Sequence, residues 1–231
     1  MIEIIDLSQE IHAGMPVFPG HPEVEIRLHI AHEPSPSEGQ GQPAAPQVNR
    51  LVLGEHTGTH VDALSHMGPE YREGSIETWP LSRSYTEGIC VDLAHKGLRE
   101  LIEIADLEQA LEKAGLEIRA GDTVLLHTDH YRRAYRTESW PHGPGLSAAA
   151  TRWLGEQRIA AFGVETPSPG VRGVSNREVH RLCGELGFTH YENLIELHRL
   201  LGRGRFRFIA LPLKIRGGTG SPVRAVAVFE G

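Results

Sequence analysis

The sequence predicts an α/β protein with a mixed β-sheet core and flanking helices. Three observations carry that expectation. Short apolar runs of strand length recur along the chain, capped helical segments alternate with them in the middle, and the start reads as strand and loop only. Several of the runs are almost continuously apolar, the pattern of strands covered on both faces.

Taken in order, IEIID at 2–6 is a first strand. VEIRLHI at 24–30 alternates, with Val24, Ile26, Leu28 and Ile30 on one face and Glu25, Arg27 and His29 on the other, which predicts a half-buried strand. GMPVFPGHP between them, with three prolines and two glycines, is a turn. Residues 33–49, EPSPSEGQGQPAAPQVN, lack apolar periodicity and read as one long polar loop, either shaping a site or disordered. NRLVLGE (49–55), GICVDL (88–93), DTVLLH (122–127), IAAFGVE (159–165), FRFIALP (206–212) and VRAVAVF (223–229) are further strands. Three helices are signalled. Asp106 is placed to cap ADLEQALEKAGL, Ser147 to cap SAAATRWLGEQ, and Ser175 with Glu178 to form a capping box opening SNREVHRLCGELG, which stops at Gly187. There is no internal repeat.

The chain has 231 residues, enough for one large domain or two small ones, and a chain of this length buries roughly 70% of its unfolded surface without staples. A net charge of −7 argues against a nucleic-acid partner. Cys90 and Cys183 form no CxxC pair and suit a reducing compartment. The start carries neither a basic nor an apolar leader region, and no apolar run reaches membrane-spanning length. The expectation is a cytoplasmic protein with no membrane partner.

The chemistry concentrates in HTGTHVDALSHM, residues 56–67. Imidazole and carboxylate are the donors that zinc and manganese take. Thr57, Gly58, Thr59 and Val61 are poor helix material, so a turn at Gly58 followed by extended chain is expected. There His60 and Asp62 point the same way and His56 folds in beside them. Three protein ligands leave a position open for water. His66 is either another ligand or a group that moves protons. A solvent-exposed loop of ordinary histidines is the alternative.

HTGTHVDALSH resembles the signature H-T-G-T-H-x-D-A-P-x-H of the cyclase-like metal-dependent hydrolases, the family of bacterial kynurenine formamidase and isatin hydrolase. Residues 6–22 resemble the family's opening strand and Pro-Gly substrate turn, 121–128 its central strand, 143–169 its PGL…TPS block and 211–228 its C-terminal hairpin. Only 32–49 has no counterpart. The resemblance implies a single domain over 1–231 with the swivelling β/β/α-type fold of that family. It implies zinc or manganese, one or two ions per chain, and a homodimer or homotetramer with its pocket near a subunit interface. It matches His56, His60 and Asp62 to one ligand set, with Asp62 bridging to a second ion completed by His180 and Glu192. His190 is a rival to His180, since it can share a strand face with Glu192, but the family does not normally carry His there, and His180 is preferred. His180 also flanks the apolar stripe Val179, Leu182, Cys183 and Leu186 instead of lying in it.

The resemblance further matches His66 to the family's general acid/base and sets Phe18, Pro19 and Leu64 at the substrate pocket. Two departures fall there. Ala63-Leu64 stands where the family has Ala-Pro, and Phe18 where it has Trp. The function expected is hydrolysis of an amide-type C–N bond in a small cyclic or N-acyl (arylformamide-like) substrate by metal-activated water. An ester- or lactone-cleaving enzyme, and a metal-containing binding protein without turnover, are the other readings. Thr57 and Thr59 are candidates to orient the imidazoles. Trp79, Trp140 and Trp153 read as packing residues.

Overall fold

The structure is a computed structural model, and it describes residues 1–32 and 46–230. Its strands are β1 (Ile2–Asp6), β2 (Glu25–Ile30), β3 (Val48–Val52), β4 (His60–Asp62), β5 (Tyr85–Asp92), β6 (Leu101–Ile102), β7 (Thr123–His127), β8 (Gly145–Leu146), β9 (Ala161–Val164), β10 (Thr189–Glu192), β11 (Phe206–Ile209), β12 (Gly220–Pro222) and β13 (Val226–Glu230). Its helices are α1 (Leu64–Met67), α2 (Ile104–Ala114), α3 (His130–Ala134), α4 (Ala148–Glu156) and α5 (Asn176–Leu186). Nine strands form one sheet in the order β1-β13-β11-β5-β7-β9-β10-β4-β12. Its centre, β5-β7-β9-β10, is parallel, and the remaining neighbours pair antiparallel. The mixed α/β class read from the sequence is the class observed.

The apolar runs are central strands buried on both faces, as their composition predicted. Ile89, Val91, Val124, Leu126, Phe162 and Val164 pack against Leu107 of α2, Leu154 of α4 and Val179 of α5. Their sequence neighbours Cys90, Leu125 and Ala161 point to the other face, where they meet Ile5, Tyr191, Leu194 and Phe208. The helices on the first face hold the carboxyl ends of β9 and β10 in place, and the candidate site lies there.

Of the three expected helix caps, two are corrected. Asp106 does not cap α2: Glu103 is the N-cap, and Asp106, three residues in, accepts the Glu103 backbone N–H at 2.7 Å, so the box is built from two acids. Ser147 caps α4 as expected, accepting the Ala150 N–H. Ser175 stands at the N-cap of α5 but makes no capping bond. Its hydroxyl donates to the Leu146 carbonyl and accepts from the Val171 N–H, and Glu178 pairs with Arg181 instead. Tertiary partners outbid the local cap.

The largest correction concerns 24–30. Only Val24 is buried; Ile26, Leu28 and Ile30 are 36%, 59% and 44% exposed. Among the described residues β2 pairs with β3 alone in a two-stranded ribbon, and Val48, Leu51 and Val52 of β3 are exposed as well. Alternation reports that a strand has two unlike faces, not that its own chain covers the apolar one. Of the loop expected over 33–49, residues 33–45 lie outside the described residues, and Val48 and Asn49 belong to β3.

Phe162 joins core and site: it is fully buried and stacks on His190 with ring centroids 5.4 Å apart. Phe162→Ala is expected to cost about 3–5 kcal/mol of unfolding free energy by urea denaturation of the metal-free protein. A loss below about 1 kcal/mol contradicts the packing described.

Candidate metal centre

Two antiparallel strands bring the chemistry together. Gly58 adopts φ +60, which turns the chain into β4. β4 is flanked by β10 and β12, with His60 opposite Glu192, Val61 opposite Tyr191 and Asp62 opposite Gly220. Continuing the β4–β10 register sets Asp62 opposite His190. Alternation puts His60, Asp62, His190 and Glu192 on one face of the sheet, while Val61 and Tyr191 enter the core behind it. His180 arrives from α5. His66 stands on α1, directly after the strand.

The polar atoms converge. His56 Nδ1 lies 2.7 Å and His60 Nε2 3.3 Å from Asp62 Oδ1. His190 Nε2, His180 Nε2 and His66 Nε2 lie 3.2, 3.5 and 3.7 Å from Asp62 Oδ2. Glu192 presents Oε2 to His60 at 3.5 Å and Oε1 to His190 at 3.2 Å. Asp62 is 1% exposed and Glu192 6%. Donor atoms of Asp62, His180, His190 and Glu192 all lie within 4.8 Å of one another, as do those of His56, Asp62 and His66. Each set is able to hold a metal ion.

The charges interlock. Burial works against the carboxylate of Asp62, but the facing His56 and His190, with hydrogen bonds from His180 and His190, hold its pKa well below the usual value. Glu192 is lowered in the same way against its burial, first by the hydrogen bond to His190. Burial opposes a proton on His56 and His190, yet Asp62 keeps both pKa values raised. His66 behaves differently: burial pushes its pKa down to about 4, and Asp62 only partly offsets it.

The orienting groups differ from those expected. Neither Thr57 nor Thr59 is hydrogen-bonded to an imidazole. The Gly58 carbonyl accepts from His60 Nδ1 at 2.8 Å, and the Asn176 carbonyl from His180 Nδ1 at 2.7 Å. The Thr219 hydroxyl meets His56 Nε2 at 3.0 Å and donates to Glu55. Thr59 serves the backbone, donating to the Asn193 carbonyl and accepting the Gln9 N–H. β12 closes over His56 so tightly that a Cβ on Gly220 would stand 2.6 Å from its ring.

The cluster opens on a cavity of about 60 Å³ lined by Phe18, His21, His66, Pro167 and Asn176 among others. A larger cavity of about 520 Å³ adjoins it at Phe18 and Pro167, with Pro19, Val17 and Trp140 in its walls. Phe18 lines both cavities and Pro19 the larger one. Leu64 does not line either cavity; it packs against the buried core cluster. His190, His21, Trp140 and Pro167 are additions. His190 was visible only as a rival to His180, and the structure brings both to Asp62. Trp140, read as a packing residue, is buried but also forms cavity wall. The GHP turn placed His21 near Phe18 in sequence, the one signal that could have found it.

The family model described as "Putative cyclase" matches residues 5–171. An isatin hydrolase from Roseibium aggregatum is 32% identical over 195 residues, 78% of this chain and 74% of that protein. A kynurenine formamidase from Polaromonas naphthalenivorans is 30% identical over 226 residues, 97% of this chain and 90% of that protein. Among solved structures, isatin hydrolase A from Ralstonia solanacearum superposes with a TM-score of 0.85 at 27% identity, covering 99% of this chain and 92% of that one.

His66 has a direct test. In metal-free protein its imidazole is expected to titrate near pH 4 by NMR, where an ordinary histidine titrates near 6.5. Its folded pKa is depressed, so the unfolded chain takes up the proton first. Stability is therefore lost as pH falls from about 6.5 towards 4, by a component that His66→Gln removes. Titration near 6.5 contradicts the buried setting.

Proposed function

The chain belongs to the cyclase family of metal-dependent hydrolases acting on amide-type C–N bonds outside peptides, and on that premise we propose how its own residues divide the work. The observation that carries the reading is the pair of buried carboxylates, Asp62 and Glu192, ringed by imidazoles at one edge of a cavity. A purely nitrogen and oxygen donor set fits zinc or manganese. We assign His56, His60, Asp62, His180 and Glu192 as ligands of one or two such ions. A bound ion supplies Lewis acidity for the carbonyl and lowers the pKa of water from 15.7 to about 7.

The protein does the rest. His66 is the most exposed imidazole at Asp62 and faces the cavity. With a pKa of about 4 it is neutral at physiological pH, so it begins as a base. It takes the proton of the attacking water and then delivers it to the leaving nitrogen, a role worth about 10²–10⁴-fold in rate. Phe18, Pro19, Val17 and Trp140 give the larger cavity an apolar side, beside Arg136 and Glu138, that suits the aromatic ring of an arylformamide or an isatin-like lactam. Leu64 points away from that wall, so the Ala63-Leu64 departure acts on the substrate only through the placement of α1.

We further propose that the protein is a homodimer or homotetramer working in the cytoplasm. The apolar ribbon β2–β3, left exposed by the other described residues, supports the assembly. The two cysteines, buried and free, support a reducing compartment. Among the described residues no helix is long and apolar enough to cross a membrane.

Three outcomes follow. Purified protein carries zinc or manganese and hydrolyses formanilide-type amides or isatin, and Asp62→Asn loses both metal and activity. His66→Gln keeps its metal and loses about 10²–10⁴-fold in kcat; full activity in this variant removes the proton-carrying role. Light scattering gives a multiple of the 25.5 kDa chain, and Leu28→Glu with Leu51→Glu shifts it towards monomer. A monomeric wild type refutes the assembly.

A further inference from the structure

The β4–β10 register places two His-x-carboxylate pairs head to tail: His60-x-Asp62 on one strand and His190-x-Glu192 on the other. Each histidine then faces the carboxylate of the opposite strand. His60 sits beside Glu192 Oε2, and His190 beside Asp62 Oδ2. The two carboxylates thus divide their oxygens. Asp62 Oδ1 and Glu192 Oε2 face His56 and His60; Asp62 Oδ2 and Glu192 Oε1 face His180 and His190, and His66 reaches Asp62 Oδ2 from the cavity at 3.7 Å.

The two halves are not equivalent. His190 is the most deeply buried of the imidazoles, while its neighbour His180 reaches the cavity wall. His190 is fully buried, wedged between Phe162, on which it stacks, and His180, whose ring meets it edge-on with centroids 5.0 Å apart. This half offers four donors mutually within 4.8 Å, two nitrogens and two oxygens. On the cavity side, His56, Asp62 and His66 make the corresponding group among the described residues, and it has three members.

We propose that His190 is itself a metal ligand, and that with His180, Asp62 and Glu192 it closes the inner half of the centre into a complete four-donor shell. The inference rests on the metal reading of the cluster and goes beyond it. Without His190 the inner position has three donors and an open place; with it, the shell is full. Closed shells of four protein donors are the structural kind, and water is activated where a place stays open. An ion in that shell would hold Asp62 and Glu192, and the open place for substrate would lie beside His56 and His66, in the cavity that His180 also lines.

The far side of the ring agrees. With Nε2 giving its lone pair inwards, Nδ1–H points at Cys183 Sγ, 3.8 Å away on α5. A ligating imidazole is normally held through its second nitrogen in this way. The competing arrangement has His190 as a hydrogen-bond donor, Nε2–H shared between the two carboxylates, orienting them without touching an ion.

The experiment separates the two. Zinc affinity by chelator competition and the visible spectrum of the cobalt(II)-loaded protein are measured for wild type, His190→Leu and His190→Gln. Loss of an orienting partner typically weakens metal binding about 10–100-fold. We expect the tighter site to weaken by more than that in both variants, and the intense absorption of four-coordinate cobalt to fall. Glutamine keeps a donor for the carboxylates, so a variant that restores affinity and spectrum makes His190 an orienting group and overturns the proposal, as does unchanged binding in His190→Leu. Wild type without a tightly held ion overturns the metal reading itself, a different result from a wild type that binds and variants that bind equally well. Unfolding of the metal-free variants checks that folding is intact, and His190→Gln stands alone should His190→Leu not fold.

Discussion

Two carboxylates buried within reach of the same imidazoles are the constraint on which this structure turns. Leaving a buried charge uncompensated costs several kcal/mol, more than most single contacts return. Asp62 and Glu192 can be tolerated only because His56, His60, His180 and His190 surround them, and the local architecture serves to keep that ring in place. The turn at Gly58 starts β4 where its alternation faces the cavity. The register with β10 sets each histidine against a carboxylate. Gly220 lets β12 close over His56, and carbonyls at Gly58 and Asn176 fix which nitrogen of His60 and His180 points inwards.

Environment, not residue type, separates the roles around this centre. His190 and His66 both lie close to Asp62 Oδ2, yet they are driven in opposite directions. His190 is enclosed with two carboxylates and is held as a partner to charge. His66, at the cavity mouth, feels its own desolvation more than the shared Asp62 and stays neutral. A neutral imidazole beside a cavity is suited to receive a proton and pass it on. The cavity is divided too, a small chamber at the cluster adjoining, at Phe18, a larger space whose walls combine Val17, Pro19 and Trp140 with Arg136 and Glu138.

How much of this the sequence disclosed depended on the range of the interaction. The local motif was legible because a turn at Gly58 and alternation along three residues suffice to gather His56, His60 and Asp62. The central strands were legible because burial on both faces leaves uninterrupted apolar runs. His180 and Glu192 came from resemblance, since no local rule joins residue 62 to residues more than a hundred positions away. In the sequence His190 and His180 read as rivals for a single place. Only the antiparallel register shows that helix and strand approach Asp62 from different sides. The cap of α2 lies at Glu103, three residues before Asp106, and Ser175 keeps its place at the start of α5 but gives its hydroxyl to tertiary partners instead of a capping box. The exposure of Leu28 and Leu51 could not be read from alternation, which is silent on what covers a face.

The account stands or falls on a cation shared by Asp62 and Glu192. The most direct measurement is anomalous diffraction from crystals of the protein, recorded on either side of the zinc and manganese absorption edges. The predicted result is an anomalous peak within bonding distance of an Asp62 oxygen and a Glu192 oxygen, with imidazole nitrogens completing its shell. A map in fully loaded protein with no peak there, or with metal only at sites remote from Asp62, would contradict it.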